Sequence, residues 1–195
     1  MQDASDPART EVRYAVFDTA AGPCGLAWSA AGLTHVQLPE ADRAETEARL
    51  AARSGGQPAM DVPPEIAGCM ARMCAYFDGE AVAFDDVGLD MRGLSEFHTA
   101  VYTKLRTFGW GEATSYGALA ALAALVGDPG AARAIGMAMG QNPWPLIVPC
   151  HRVLAASGKL GGFSAHGGRE TKRHMLQLER IDADGAAPLL PGLFD

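Results

Sequence analysis

Apolar and polar positions alternate over short runs near the start of the chain and recur at helical spacing further on. Residues 14–19, 25–28 and 33–38 read as three strands, separated by small residues and glycine, a pattern that suits an antiparallel meander. Residues 40–53 read as a polar, alanine-rich helix, 54–58 as a loop, and 63–77 as a second helix with Ile66, Met70, Met73 and Phe77 along one stripe. That methionine stripe reads as core filling. Residues 85–91 are expected to form a last strand, and 92–94 a linker. The second half reads as helical. Ser95 caps a helix to about Thr107, with Phe97, Val101 and Leu105 inward. Ser115 caps another that runs to Val126 and stops at Gly127. Asp128 as N-cap and Pro129 at the first helical position open a third, which continues to about Gly140. The short turn at 127–129 makes this pair a helix-turn-helix, with 131–138 as its second helix. A final helix covers about 170–181, and 182–195 read as a loose tail.

The expected fold is therefore an α/β N-terminal module over 1–92, an antiparallel sheet with helices. A mostly α C-terminal domain follows over 95–181. With 195 residues the chain can bury a sizeable core. Residues 1–11 lack the apolar stretch of a signal peptide, and no apolar run approaches membrane-spanning length, so a cytoplasmic protein without a membrane partner is expected. The cysteines at 24, 69, 74 and 150 form no CxxC pair and imply free thiols in a reducing compartment. No Cys/His spacing supports zinc, and no cofactor is expected.

Net charge is −7, but it is unevenly placed. Residues 1–95 carry 7 Lys/Arg against 15 Asp/Glu, while 131–180 carry 7 against 2. A basic segment on an acidic protein suits a local phosphate-contacting surface; the plain alternative is a set of solvated charges.

The densest chemical signal is Pro149-Cys150-His151-Arg152-Val153, after the apolar run Leu146-Ile147-Val148. The thiolate is the nucleophilic form of cysteine, nearby positive charge lowers its pKa, and histidine suits proton removal near neutral pH. A lone Cys-His pair is more often structural, but this one sits within a longer pattern. Gln141 to Val153, read with Thr114-Ser115-Tyr116-Gly117 and Gly130-Ala131-Ala132-Arg133-Ala134-Ile135-Gly136, resembles the O6-alkylguanine-DNA alkyltransferases, also called methylated-DNA–protein-cysteine methyltransferases. Gly161-Gly162-Phe163, Lys172 and Leu178-Glu179 match less tightly, and the likeness is specific from about Ser95 to Glu179.

The resemblance implies a winged-helix-like C-terminal domain, double-stranded DNA bearing O6-alkylguanine as partner, and single-turnover transfer of the alkyl group to Cys150 after base flipping. O4-alkylthymine is implied as a further substrate. In this likeness His151 is the base for Cys150, directly or through a water, and Glu179 orients His151. Tyr116 donates to the base ring and Asn142 fixes the turn that holds the segment. Arg133 replaces the flipped base in the stack, and Ala131 and Ala132 allow close approach to the minor groove. Ser115, Val148, Arg152, Phe163 and Ser164 complete the DNA- and base-binding set. Two other classes stay open on the sequence: a binding protein for alkylated DNA without transfer, and a cysteine hydrolase. The closing Leu193-Phe194 loosely resembles the peptides by which bacterial repair proteins dock on the sliding clamp; the alternative is that both side chains fold back on the protein.

Overall fold

A computed structural model of the chain describes residues 11–122, 130–155 and 158–183. Strands β1 (Arg13–Thr19), β2 (Gly22–Ser29) and β3 (Gly32–Gln37) form the expected antiparallel meander. Helix α1 (Arg43–Ser54) starts where the Asp42 side chain accepts from Glu45 N at 2.8 Å, and stops at Gly55, whose φ of 63° is left-handed. It lies on one face of the sheet, where Leu50 packs with Tyr14 and Ala27. Cys24, Leu26 and Trp28 of β2 point the opposite way, into the main core. Burial on both faces explains why six consecutive residues of β2 are buried and why nearly all of its sequence is uncharged and apolar.

Two expectations for this half need correction. Residues 54–58 are not wholly loop: Gln57–Pro58 form a short strand, β4, parallel to β1, giving the sheet order β3-β2-β1-β4. Pro58 is tolerated because β4 is an edge. Residues 85–91 do not form a strand. Only Leu89 bridges to Leu33, while Nη2 of Arg106 hydrogen-bonds the carbonyls of Phe84, Asp85 and Val87 at 2.7–2.8 Å. Those carbonyls satisfy a side chain and not a ladder.

Helix α2 (Pro64–Phe77) buries Ile66, Cys69, Met73, Tyr76 and Phe77, whereas Met70 is only half-buried. The inward stripe is therefore shifted from the one expected, and it carries a tyrosine. Helix α3 (Glu96–Leu105) is capped by Ser95, which accepts from His98 N. Strand β5 (Thr114–Ser115) leads into α4 (Tyr116–Leu122), whose first turn is capped by Ser115 accepting from Ala118 N at 3.1 Å. Helix α5 (Ala131–Gly140) packs on α3 through the bond from the Tyr102 hydroxyl to Ala138 O. A 3₁₀ turn over Cys150–Arg152 leads into β6 (Val153–Leu154), which pairs parallel with β5. Helix α6 (Arg169–Leu178) ends about three residues earlier than expected, and Arg180 takes a left-handed φ of 59°. The stretch from Ala123 through the Gly127-Asp128-Pro129 turn lies outside the described residues, as does the tail with Leu193 and Phe194.

One apolar core runs from Cys24 through Tyr76 and Trp144 to Met175, joining both halves of the chain. Two long-range bonds seat the 142–150 segment on β3: Trp144 Nε1 to Leu33 O at 2.8 Å, and Val36 N to Pro143 O at 2.8 Å.

Candidate active site

Asn142 organises the segment that ends in Cys150. Its Oδ1 accepts from Trp144 N at 3.0 Å and its Nδ2 donates to Val148 O at 2.8 Å, so one side chain closes both ends of the turn. Within that turn Leu146 has a φ of 77°, a conformation that costs an ordinary L-residue about 1–2 kcal/mol and that the buried packing of its side chain imposes. Cys150 emerges at the start of the 3₁₀ turn with 4% of its surface exposed.

Behind it lies a buried polar cluster. His151 Nε2 is 2.8 Å from Glu179 Oε1. Arg152 Nε reaches Glu179 Oε2 at 2.7 Å and its Nη2 reaches Oε1 at 2.9 Å, while its Nη1 donates to Phe108 O. The Tyr76 hydroxyl donates to Glu179 Oε1 at 2.8 Å. Burial alone would raise the carboxyl of Glu179, but the hydrogen bond from His151, the charge His151 takes on once protonated in acid, and the hydrogen bonds and charge of Arg152 outweigh it and hold the group at about 2. Glu179 is therefore an acceptor only, so Nε2 of His151 carries the imidazole proton. Burial lowers His151 from its ordinary value, which keeps it neutral, and its Nδ1 has no hydrogen-bond partner among the described residues. That nitrogen is a free base inside the protein.

The thiol itself departs from expectation. Burial pushes Cys150 up, against a hydrogen bond from the Asn142 side chain, the charge of Lys172 and nearby backbone donors. Desolvation wins over the cationic neighbourhood, so the resting group is a thiol that needs a base. Lys172 lies among the residues that resemble the family. It is fully buried on α6 and donates to Val153 O at 2.6 Å. With Met175, Leu176 and Glu179 it occupies one inward helical stripe, and charged residues at core positions are the signal that marked it. Tyr76, in the last turn of α2, carries no local sequence signal for its place in this cluster.

Two cavities meet at Cys150. One, of about 380 Å³, is bounded by Tyr116, Met139, Gly140, Phe163 and Ser164. The other, of about 130 Å³, opens toward Arg49 and Arg53 of α1 and shares Phe163 and Ser164. Burial, and then the Cys150 charge, raises the Tyr116 phenol, which stays protonated as a donor facing the larger cavity. A Cβ at Gly161 would lie 3.0 Å from the Tyr116 hydroxyl, so a larger residue there would press the phenol out of its position by a few tenths of an ångström. A larger cavity, about 880 Å³, lies between α2 and the β2–β3 turn; it shares no lining residue with these two, and its only thiol, Cys69, is pushed by burial to about 11.

Helix α5 presents Ala132, Arg133 and Met137 to solvent, the last with 59% of its surface exposed, and turns Ile135, Ala138 and Met139 inward. Ala131 opens this helix. Val148 lines neither Cys150 cavity; its side chain is buried and its carbonyl serves Asn142. Arg152, expected to meet DNA, is instead buried against Glu179, whose two oxygens accept from its Nε and Nη2. The surface charge is revised accordingly. Arg152 and Lys172 are buried, leaving Arg133, Lys159, Arg169, Arg173 and Arg180 at or near the surface against exposed Glu170.

The fold and the site together define a class: a protein with a buried cysteine where two cavities meet, beside a helix rich in small residues. Residues 96–181 match the family model described as the DNA-binding domain of 6-O-methylguanine DNA methyltransferase. The chain is 40% identical over 172 residues to the methylated-DNA–protein-cysteine methyltransferase of Mycobacterium tuberculosis, covering 88% of this chain and 94% of that one. It is 34% identical over 173 residues to the protein of the same name from Methanosarcina acetivorans, covering 85% and 97%. The crystal structure of the M. tuberculosis O6-methylguanine methyltransferase is similar with a TM-score of 0.66 at 40% identity, over 94% of this chain and 99% of that one. The structure of the M. tuberculosis protein in complex with DNA gives 0.67, over 86% and 93%. The chain belongs to the methylated-DNA–protein-cysteine methyltransferase family.

Proposed function

We propose that this protein repairs duplex DNA by moving the alkyl group of O6-alkylguanine, and of O4-alkylthymine, irreversibly onto Cys150, once per molecule. The observation that carries the reading is the placement of Cys150 at the meeting of a cavity bounded by Tyr116, Phe163 and Ser164 with the buried His151–Glu179 pair. In this reading the thiol proton passes to Nδ1 of His151, directly or through a water. The sulfur then attacks the alkyl carbon in line, the S–C bond forms, and the C–O6 bond breaks. The electron pair leaves on the base, which takes a proton from the Tyr116 hydroxyl. The proton held by His151 returns through solvent to Tyr116, so the thiol proton ends on guanine. A thioether is a poor leaving group, so no second turnover follows.

A base inside a duplex cannot reach Cys150, so the nucleotide is extruded past α5, with Ala131 and Ala132 permitting close approach and Arg133 filling the vacated stack. Ser115 contributes to the DNA surface from the start of α4. The chain then divides into an α/β domain over 1–92, a DNA-binding and alkyl-accepting domain over 95–181 and a tail over 182–195, acting in the cytoplasm at the nucleoid. Leu193 and Phe194 of the tail are a candidate sliding-clamp contact, which a titration of the clamp with a tail peptide decides.

The test is stoichiometry. Excess O6-methylguanine duplex should lose one lesion per protein, and the Cys150 peptide should gain one methyl by mass spectrometry. Cys150→Ser should bind DNA and transfer nothing. Turnover beyond one equivalent points to a hydrolase, no loss of lesion points to a binding protein, and a methyl on Cys24, Cys69 or Cys74 moves the acceptor elsewhere.

A further inference from the structure

Among the described residues, Tyr76 is the polar member of the Glu179 cluster that comes from the N-terminal half of the chain. It stands in the last turn of α2, fully buried. Edge-to-face contacts with Phe77 at 5.1 Å and Trp110 at 5.3 Å hold its ring. Its hydroxyl has one proton to give. Met175 O lies 3.4 Å away and His151 Nε2 lies 3.5 Å away, but Nε2 already bears a proton directed at Glu179. The short contact is to Glu179 Oε1 at 2.8 Å, so that oxygen receives the proton.

Oε1 is thus shared. Tyr76 from α2, and His151 and Arg152 from the 3₁₀ turn, converge on one carboxylate oxygen. The charged groups facing His151 are Glu179 and Lys172 from α6 and Arg152 from its own turn; Cys150 precedes it, and Tyr76 is the group that faces it from α2. A hydroxyl buried with no partner costs stability, and a phenylalanine at 76 would pack equally well. The hydroxyl therefore has a task that packing does not explain. An imidazole that takes up a proton at Nδ1 depends on how much negative charge Oε1 offers at Nε2, and on that oxygen staying in line.

We infer that Tyr76 is a positioning residue for the transfer: it holds Glu179 Oε1 against His151 Nε2 and moderates the charge that this oxygen offers the imidazole. The N-terminal half thereby tunes the base from which the alkyl-accepting cysteine draws. This rests on the reading that His151 accepts the Cys150 proton. Burial, followed by the charge and hydrogen bond of Glu179, raises the Tyr76 phenol well above its ordinary value, so it acts as a fixed donor across the working pH range.

The experiment is the rate of reaction of the full chain with free O6-benzylguanine between about pH 5 and pH 9, a range that brackets the imidazole. Free base removes any contribution from duplex opening. Tyr76→Phe frees charge on Oε1, makes His151 more basic, and should move the acid-side midpoint up by about half to one unit while slowing the plateau rate about three- to tenfold. Site-specific 3-fluorotyrosine at 76 keeps the shape, strengthens the donor, and should move the midpoint the other way with near wild-type rate. Phe77→Leu, from the same turn of the same core, should lower stability and leave the midpoint in place. If Tyr76→Phe does not fold, the fluorinated protein alone decides by its downward shift. Unmoved midpoints in the phenylalanine and fluorotyrosine proteins overturn the inference while the wild type still alkylates Cys150. A wild type that gains no alkyl group on Cys150 overturns the underlying reading with it, and the mass of the protein separates the two failures.

Discussion

Replacing Glu179 by glutamine tests the buried cluster most directly. The carboxylate accepts from Tyr76, His151 and twice from Arg152, and 1% of its surface is exposed. Glutamine keeps the shape, yet its amide sets a donor against Arg152 or His151 and leaves the Arg152 charge uncompensated. Breaking a buried pair by removing one partner costs about 3–5 kcal/mol, while the whole stability of a domain is about 5–15 kcal/mol. At about 2–4 °C per kcal/mol for a chain of this size, Tm should fall by about 6–20 °C. The pH dependence supplies the sharper check. The folded carboxyl sits at about 2, depressed from an ordinary 4.5. A depressed carboxyl contributes stability that is fully present above its unfolded value and lost as pH falls through the folded one. The wild type should therefore lose about 1 kcal/mol from this group by pH 4 and about 2 kcal/mol by pH 3, relative to neutral pH. His151, lowered from an ordinary 6.5, adds a loss of the same sign that begins just below 6.5, because the unfolded imidazole takes up its proton first. Urea unfolding at pH 7, 5, 4 and 3 reads both contributions. Glu179→Gln should be weaker at pH 7 and have a shallower slope between pH 5 and pH 3. Wild-type stability at pH 7 together with an unchanged acid slope would refute the assignment of Glu179 as an ionised hub.

Three further outcomes follow from other parts of the molecule. Arg133→Ala, on the exposed face of α5, should slow repair of duplex substrate at least tenfold and leave reaction with free O6-benzylguanine within about twofold, since only the duplex needs unstacking at a cost of a few kcal/mol; equal losses in the two assays would remove the intercalating role. Lys172→Met removes the buried charge that lowers Cys150, so the pH profile of thiol alkylation by iodoacetamide should shift upward; a profile at the wild-type position would show that the ammonium does not act on the sulfur. DNA binding should weaken steeply from 50 to 200 mM salt while varying little with sequence, because the basic side chains near the surface between Arg133 and Arg180 meet phosphates; a salt-independent affinity in a fluorescence-anisotropy titration would contradict that surface.

What the sequence determined by itself is local. Alternation set the three strands of the meander, and Ser95 marked a helix start through a bond made within three residues. The Gln141-to-Val153 segment was legible through its resemblance to a known family, and in the structure its turn is closed by Asn142 bonding to Trp144 and Val148. Tertiary structure decided the rest. Residues 85–91 carry strand-like residues, but Arg106, about twenty residues on, takes their carbonyls. Arg152 looked like a surface cation until Glu179, 27 residues later, drew it inside, and burial reversed the expected direction for the Cys150 thiol. Tyr76 lies outside the apolar stripe that the spacing of its helix predicts, and its partner lies 103 residues away. Hydrogen bonds over a few residues leave a periodic trace in the chain. A desolvated charge cluster assembled from four distant segments leaves none, because its energy depends on burial that exists only once those segments have met.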